Sequence, residues 1–136
     1  RPAVRLDVKE WVVLNKKVLE IIVARSDREL VYAPSKDDDK YLVYIRVHDE
    51  NFPVNAVWLK AYRYKHGADK ITVEYKESEE TLLKYLEVHN YITFSAFCKL
   101  CRINHQKAIR ILSQFVAMEI IAMDFTLQGV LYRLKS

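Results

Sequence analysis

Glycine is scarce in this chain: Gly67 and Gly129 are the only two in 136 residues. No G-x-G-x-x-G and no G-x-x-x-x-G-K can be written anywhere, which excludes the glycine-rich loops that cradle nucleotide phosphates. Cysteine is equally scarce. Cys98 and Cys101 stand three apart and cannot form the disulfide framework of a small secreted domain, so a reducing, cytoplasmic setting is expected. No apolar run approaches the roughly 18 residues that cross a bilayer. No signal-peptide pattern opens the chain, and no membrane partner is expected. Neither a Ser-His-Asp nor a Cys-His-Asn arrangement can be placed, and no element carries paired carboxylates, so no catalytic residue is assigned. The four histidines, His48, His66, His89 and His105, are dispersed. They suggest no cluster, and neither a metal nor a cofactor is expected.

What is present suits a globular fold. Apolar residues make up 51% and charged residues 29%, too apolar a mixture for disorder. The net charge of +4 permits a nucleic-acid partner without requiring one. Arg1-Pro2-Ala3-Val4 has no initiator methionine and leads straight into a strand pattern, so a piece of a longer protein is expected.

The first half reads as strands. Val8–Leu14 and Val18–Ala24 are rich in β-branched residues, and the polar Asn15-Lys16-Lys17 between them predicts a hairpin turn. Tyr41–Val47 predicts a third strand after the run Asp37-Asp38-Asp39. Those carboxylates lack the alternate spacing and the glycine of a calcium loop, so a solvated hairpin loop is the favoured reading over a cation site. In Phe52–Tyr62 the later part fits a short helix or another strand, and periodicity does not separate the two. Lys65–Lys70 is the best linker candidate, and the alternation of Ile71–Tyr75 predicts one more strand.

The period then changes. Ser78 is a candidate N-cap, with Glu79 and Glu80 at the positive end of the helix dipole, and Leu82, Leu83, Leu86 and Val88 supply an apolar stripe. Thr93 is a second candidate cap, ahead of Phe94, Phe97, Cys98 and Cys101 at helical spacing. Ile103-Asn104 breaks that helix, and Asn104 can cap a third, in which Ala108, Leu112, Phe115 and Val116 form one buried face. Glu119–Phe125, Thr126-Leu127-Gln128-Gly129 and Val130–Leu134 predict two strands closed by a glycine turn. Three helices followed by a hairpin make a winged helix-turn-helix.

In such a motif the third helix reads the DNA major groove with its N-terminal residues. Here these are His105, Gln106 and Lys107, with Arg110 one turn later. Gln can bond adenine bidentately, and Lys or Arg can reach guanine or phosphate. Between Lys99 and Arg110 stand four basic residues, Lys99, Arg102, Lys107 and Arg110, and no acidic one. Residues 77–136 as a whole carry seven Lys and Arg against six Asp and Glu, so basic charge concentrates at this point. Lys99, Arg102, Asn104, His105, Gln106, Lys107, Arg110 and Arg133 are therefore the candidate DNA contacts, and a solvated helix end is the plainer alternative. The wing turn 126–129 has no Lys or Arg, leaving Arg133 as the nearby cation. Phosphate contacts dominate affinity, so double-stranded DNA is expected to bind weakly to this chain. A protein-docking or homodimerisation module is the alternative.

The stretch Phe97-Cys98-Lys99-Leu100-Cys101-Arg102-Ile103-Asn104-His105 offers at most three ligands toward the four of a structural zinc site. Its cysteines share a helix face with Phe94 and Phe97, so burial as small hydrophobes is favoured over metal or redox chemistry.

The segments Val18–Ser26, Leu30–Ala33 and Lys40–Asn51, the last with a Y-x-R strand at Tyr44-Ile45-Arg46, resemble the C-terminal half of the Schlafen-type AlbA domain over roughly residues 1–65. An AlbA-type domain followed by a winged helix is the arrangement of bacterial proteins described as DNA-binding, ATP-binding or transcriptional regulators. The resemblance implies that Arg46 contacts nucleic acid or a ligand, and a plain surface arginine on an edge strand stands beside that reading. The family's N-terminal half carries a Glu-x-Lys-type segment and a glycine-rich stretch, neither of which exists here, and the ribonuclease carboxylates of Schlafen relatives lie largely in that missing portion. This chain is therefore not expected to be an enzyme by itself, and a fragment of a nucleic-acid-processing or ATP-binding enzyme is a further alternative. The expectation is an α+β chain with a partial AlbA-like β-rich domain over 1–66, a linker or edge strand over 67–76 and a winged helix-turn-helix over 77–136. Its expected role is transcription regulation through DNA binding.

Overall fold

The computed structural model describes residues 4–24, 29–67, 69–72 and 74–136. Arg1 to Ala3 at the start, Arg25 and Ser26 of the resembling segment, Ala68 of the linker and Val73 of the predicted strand lie outside the described residues. The chain is mixed α+β, with four helices and small antiparallel sheets among the described residues. It divides into two compact units, 1–44 and 45–136.

In the first unit β1 (Leu6–Val13) and β2 (Lys16–Val23) form an antiparallel hairpin, with Leu6 opposite Val23 and Val13 opposite Lys16. Lys16 and Lys17 are thus strand residues, not the turn that their polarity predicts. The turn is Leu14-Asn15, both at positive φ (51° and 60°), the backbone of a type I′ connection. β3 (Ala33–Pro34) pairs with β4 (Tyr41–Leu42). The three aspartates lie in the exposed loop between them, where the Ser35 N–H donates to the Lys40 carbonyl at 2.8 Å. The predicted single strand 41–47 is interrupted at the buried Val43 and resumes as β5 (Tyr44–Val47).

In the second unit β5 pairs with β6 (Glu50–Pro53) around a turn at His48, φ 54°. The ambiguous segment that follows is a helix, α1 (Ala56–Lys65). Asn55 caps it by accepting a hydrogen bond from the Trp58 N–H at 3.0 Å. Residues 45–66, expected with the N-terminal domain, thus group with the C-terminal elements, because Val57 of α1 is a member of their buried core. Ile71–Tyr75 forms no strand among the described residues.

Helix α2 (Glu77–Val88) begins earlier than its polar residues suggest. Lys76 holds the cap position without a side-chain bond, while Ser78 lies inside the first turn and is buried, its carbonyl 3.8 Å from the Cys101 thiol. Ser78 is therefore not the N-cap. Glu77, Glu79 and Glu80 do occupy the first turn, where the helix dipole favours them. Next come β7 (Ile92–Thr93), α3 (Phe94–Cys101), α4 (His105–Ala117), β8 (Ile121–Thr126) and β9 (Gly129–Leu134). β8 and β9 form the expected hairpin, with Thr126 opposite Gly129, and β7 adds to β9 to give the sheet order β7-β9-β8.

The core lies where α2, α3 and α4 meet this sheet. Leu82, Phe97, Ile111, Leu112, Ile121 and Tyr132 are fully buried, each such aliphatic or aromatic side chain contributing about 1.5–3 kcal/mol. The predicted face of α4 is confirmed in Ala108, Leu112 and Phe115, with the half-buried Val116 packed beside them. α1 also lies along α4, and Lys65 reaches Glu119 just past the end of α4 at 3.6 Å.

Candidate functional site

The α3–α4 junction is built from capping residues. Thr93 Oγ accepts from the Ala96 N–H at 3.1 Å and starts α3. Arg102 stops it by entering the left-handed region (φ 51°, ψ 49°), and the Ile103 N–H donates back to the Cys98 carbonyl at 3.1 Å, the i to i−5 bond of a Schellman-type end. Asn104 then restarts the helix, its Oδ1 accepting from the Lys107 N–H at 2.9 Å. Two short local devices thus fix the angle at which α4 leaves α3.

This turn brings together Lys99, Arg102, Asn104, His105, Gln106, Lys107 and Arg110, all expected from the sequence. Lys99, Arg102, Asn104, His105 and Gln106 are exposed, and Lys107 and Arg110 are half-buried. Gln106 and Arg110 are four apart and Lys107 and Arg110 three apart, so they share the side of α4 away from its core face. His105 rests edge-on against Phe94, ring centroids 5.5 Å apart, which holds its ring at the start of the helix. Asn104 already spends Oδ1 on its cap, so its first role is to shape the helix.

The remaining two candidates stand apart from the cluster. Arg133 lies on β9, and its Nε donates to Asp124 Oδ2 of β8 at 2.7 Å while Nη1 donates to the Leu134 carbonyl at 3.4 Å. Its charge is therefore partly met within the hairpin. Arg46 is exposed on β5 and belongs to a separate two-stranded sheet.

Acidic groups border the cluster, and their positions were not read from the sequence. The Glu74 carboxyl is held below its usual value by a hydrogen bond and ion pair with Lys76, and by the nearby charge of Arg110. The Cys101 thiol is pushed up by burial first and then by Glu79, with Lys107 acting in the opposite sense. Burial also raises Cys98. Arg110 thus feels a carboxylate from the segment that enters α2, which weakens the outward positive field there. The cluster of acids at 74, 77, 79 and 80 is visible in the sequence, but the approach of Glu74 to Arg110 depends on the tertiary fold.

Both cysteines are free and pack against the core. Among the described residues no group of three or more His, Cys, Asp or Glu could hold a metal ion, and no helix is long and apolar enough to cross a membrane.

A polar contact missed from the sequence ties the unit together. Asn55, the cap of α1, also donates from Nδ2 to the Tyr132 hydroxyl at 3.1 Å. Burial pushes the Tyr132 phenol up to about 12, with that hydrogen bond acting slightly the other way. Comparisons with protein-family models, curated proteins and solved structures return no match to this chain.

Proposed function

We propose that residues 77–136 form a winged helix-turn-helix that binds double-stranded DNA, with the first turns of α4 entering the major groove. The observation that carries this reading is the exposed polar start of α4, where His105 and Gln106 are exposed beside Lys107 and Arg110 after a tightly capped turn. The element order from α2 to β9, with a three-stranded sheet closing the helices, supports it. Gln106 supplies a base-reading amide, and Lys99, Arg102, Lys107 and Arg110 supply phosphate or guanine contacts. In this reading the protein is a cytoplasmic transcriptional regulator, and the N-terminal hairpins are the partial AlbA-type domain that the sequence resembles.

Binding is weak on physical grounds. The wing turn carries no cation, Arg133 is paired with Asp124, and the Glu74 carboxylate acts on Arg110. Four available cations set the slope of log K against log salt at about −3 to −4. Fluorescence anisotropy of a labelled duplex across a salt series tests this. Replacing Lys107 and Arg110 together with Ala should flatten the slope by about two; an unchanged affinity and slope would end the proposal. A docking role is the second reading, favoured by the exposed apolar hairpin of β1 and β2.

A further inference from the structure

The β1–β2 hairpin has two chemically distinct faces. Its register sets Leu6, Val8, Glu10 and Val12 beside Val23, Ile21, Leu19 and Lys17 on one face. The six apolar side chains of that face are each 55% to 75% exposed. The opposite face mixes four apolar side chains, Trp11, Val13, Val18 and Ile22, with four charges, Asp7, Lys9, Lys16 and Glu20, and is partly self-satisfied, with Trp11 Nε1 donating to Glu20 Oε2 at 2.6 Å.

An isolated two-stranded hairpin is at best marginally stable in water and needs a further layer on its apolar side. Six large apolar side chains at this exposure match or exceed the roughly 300–600 Å² that the largest patch of a monomer reaches. Two such faces approach the ~1,200 Å² at which specific interfaces begin.

We propose that this face docks on the same face of a second copy of the chain. The charges on it decide the occupant. One acid, Glu10, and one base, Lys17, sit diagonally across the strands and leave the face electrically neutral. A two-fold axis along the hairpin sets β1 over the β2 of the second copy. Each Glu10 then lies near Lys17 of the other, and the pair is made twice. A strongly acidic or basic partner would match only one of the two charges and leave the other opposed. The interface is a sheet-on-sheet contact with an apolar centre, and the reciprocal pairs fix its register. It goes beyond the DNA-binding reading and does not depend on it.

Sedimentation velocity over a wide concentration series tests it. The chain should show a monomer–dimer equilibrium. Glu10→Lys and Lys17→Glu should each weaken the dimer about tenfold or more by opposing like charges, and the double exchange should recover most of the loss. Recovery also shows that the hairpin is folded. Lys16→Glu, on the opposite face, should leave the dimer unchanged. A chain that stays monomeric throughout would overturn the proposal. So would a dimer that survives Val8→Glu, since pairing would then run along strand edges or through the second unit, and so would a double exchange that recovers nothing.

Discussion

Asn104 Oδ1 accepts a 2.9 Å hydrogen bond from the Lys107 N–H, and this contact joins the cap of α4 to one of its outward cations. The bond closes the first turn of the helix through the Lys107 backbone, and the Lys107 side chain extends from that turn. Asn104→Ala should therefore cost about 1 kcal/mol of unfolding free energy, the usual cost of a lost N-cap. Asn104→Ser, which keeps an acceptor, should stay within a few tenths. Urea denaturation measures both, and equal losses in the two variants would show that the Asn104 side chain does not act as a cap.

The Arg133–Asp124 pair is half-exposed, at 41% and 43% side-chain exposure, so it contributes only about 0–1 kcal/mol to stability. Its effect on DNA affinity should be larger. Asp124→Asn removes a negative charge and releases the guanidinium, so low-salt affinity should rise several-fold while Arg133→Ala alone changes it little. A large loss on Arg133→Ala, measured by anisotropy, would make Arg133 a direct contact in its paired state.

Tyr132 ionises near 12 when folded, against an ordinary value of 10.0. A raised folded value favours the neutral phenol, so its contribution to stability is fully present below pH 10. It is lost as pH rises between 10 and 12, because the unfolded phenol ionises first. Stability should fall by about 2–3 kcal/mol across that window from this group, and Tyr132→Phe should flatten the fall. The absorbance of tyrosinate, followed against pH alongside unfolding, reads both quantities.

Cys98 and Cys101 carry thiols raised by burial, so both should react with a thiol reagent at mildly alkaline pH far more slowly than free cysteine. A strong chelator should leave the melting temperature unchanged. Fast modification of either thiol, or a melting point that drops on chelation, would restore the redox and metal readings of C-x-x-C.

Much of the α3–α4 region was legible in the sequence because its signals are local. Thr93 and Asn104 are caps that act within three residues, and Ala108, Leu112 and Phe115 repeat at the helical period. Where the sequence misled, a polar residue had a second use. Ser78 reads as a cap but is buried beside Cys101, and Lys16 and Lys17 read as a turn but pair with Val13 and Val12. Leu14 takes positive φ, which a β-branched-rich strand pattern hides. The environment of the candidate site was harder to read. The Asn55–Tyr132 bond spans 77 positions, and the approach of Glu74 to Arg110 depends on how the chain enters α2. The Arg133–Asp124 contact was within reach of sequence reasoning. A two-residue turn at Leu127-Gln128 sets Arg133 opposite Ala122, and Asp124 is then its diagonal neighbour on the same face.

In the proposed reading the first turns of α4 meet duplex DNA. Backbone amide chemical shifts of the chain, followed while a short duplex is added at low salt, test it most directly. The largest changes should fall between Lys99 and Arg110, centred on His105 and Gln106, and fade as salt is raised. Changes confined to the β1–β2 hairpin or to α1, or none at all, would contradict it.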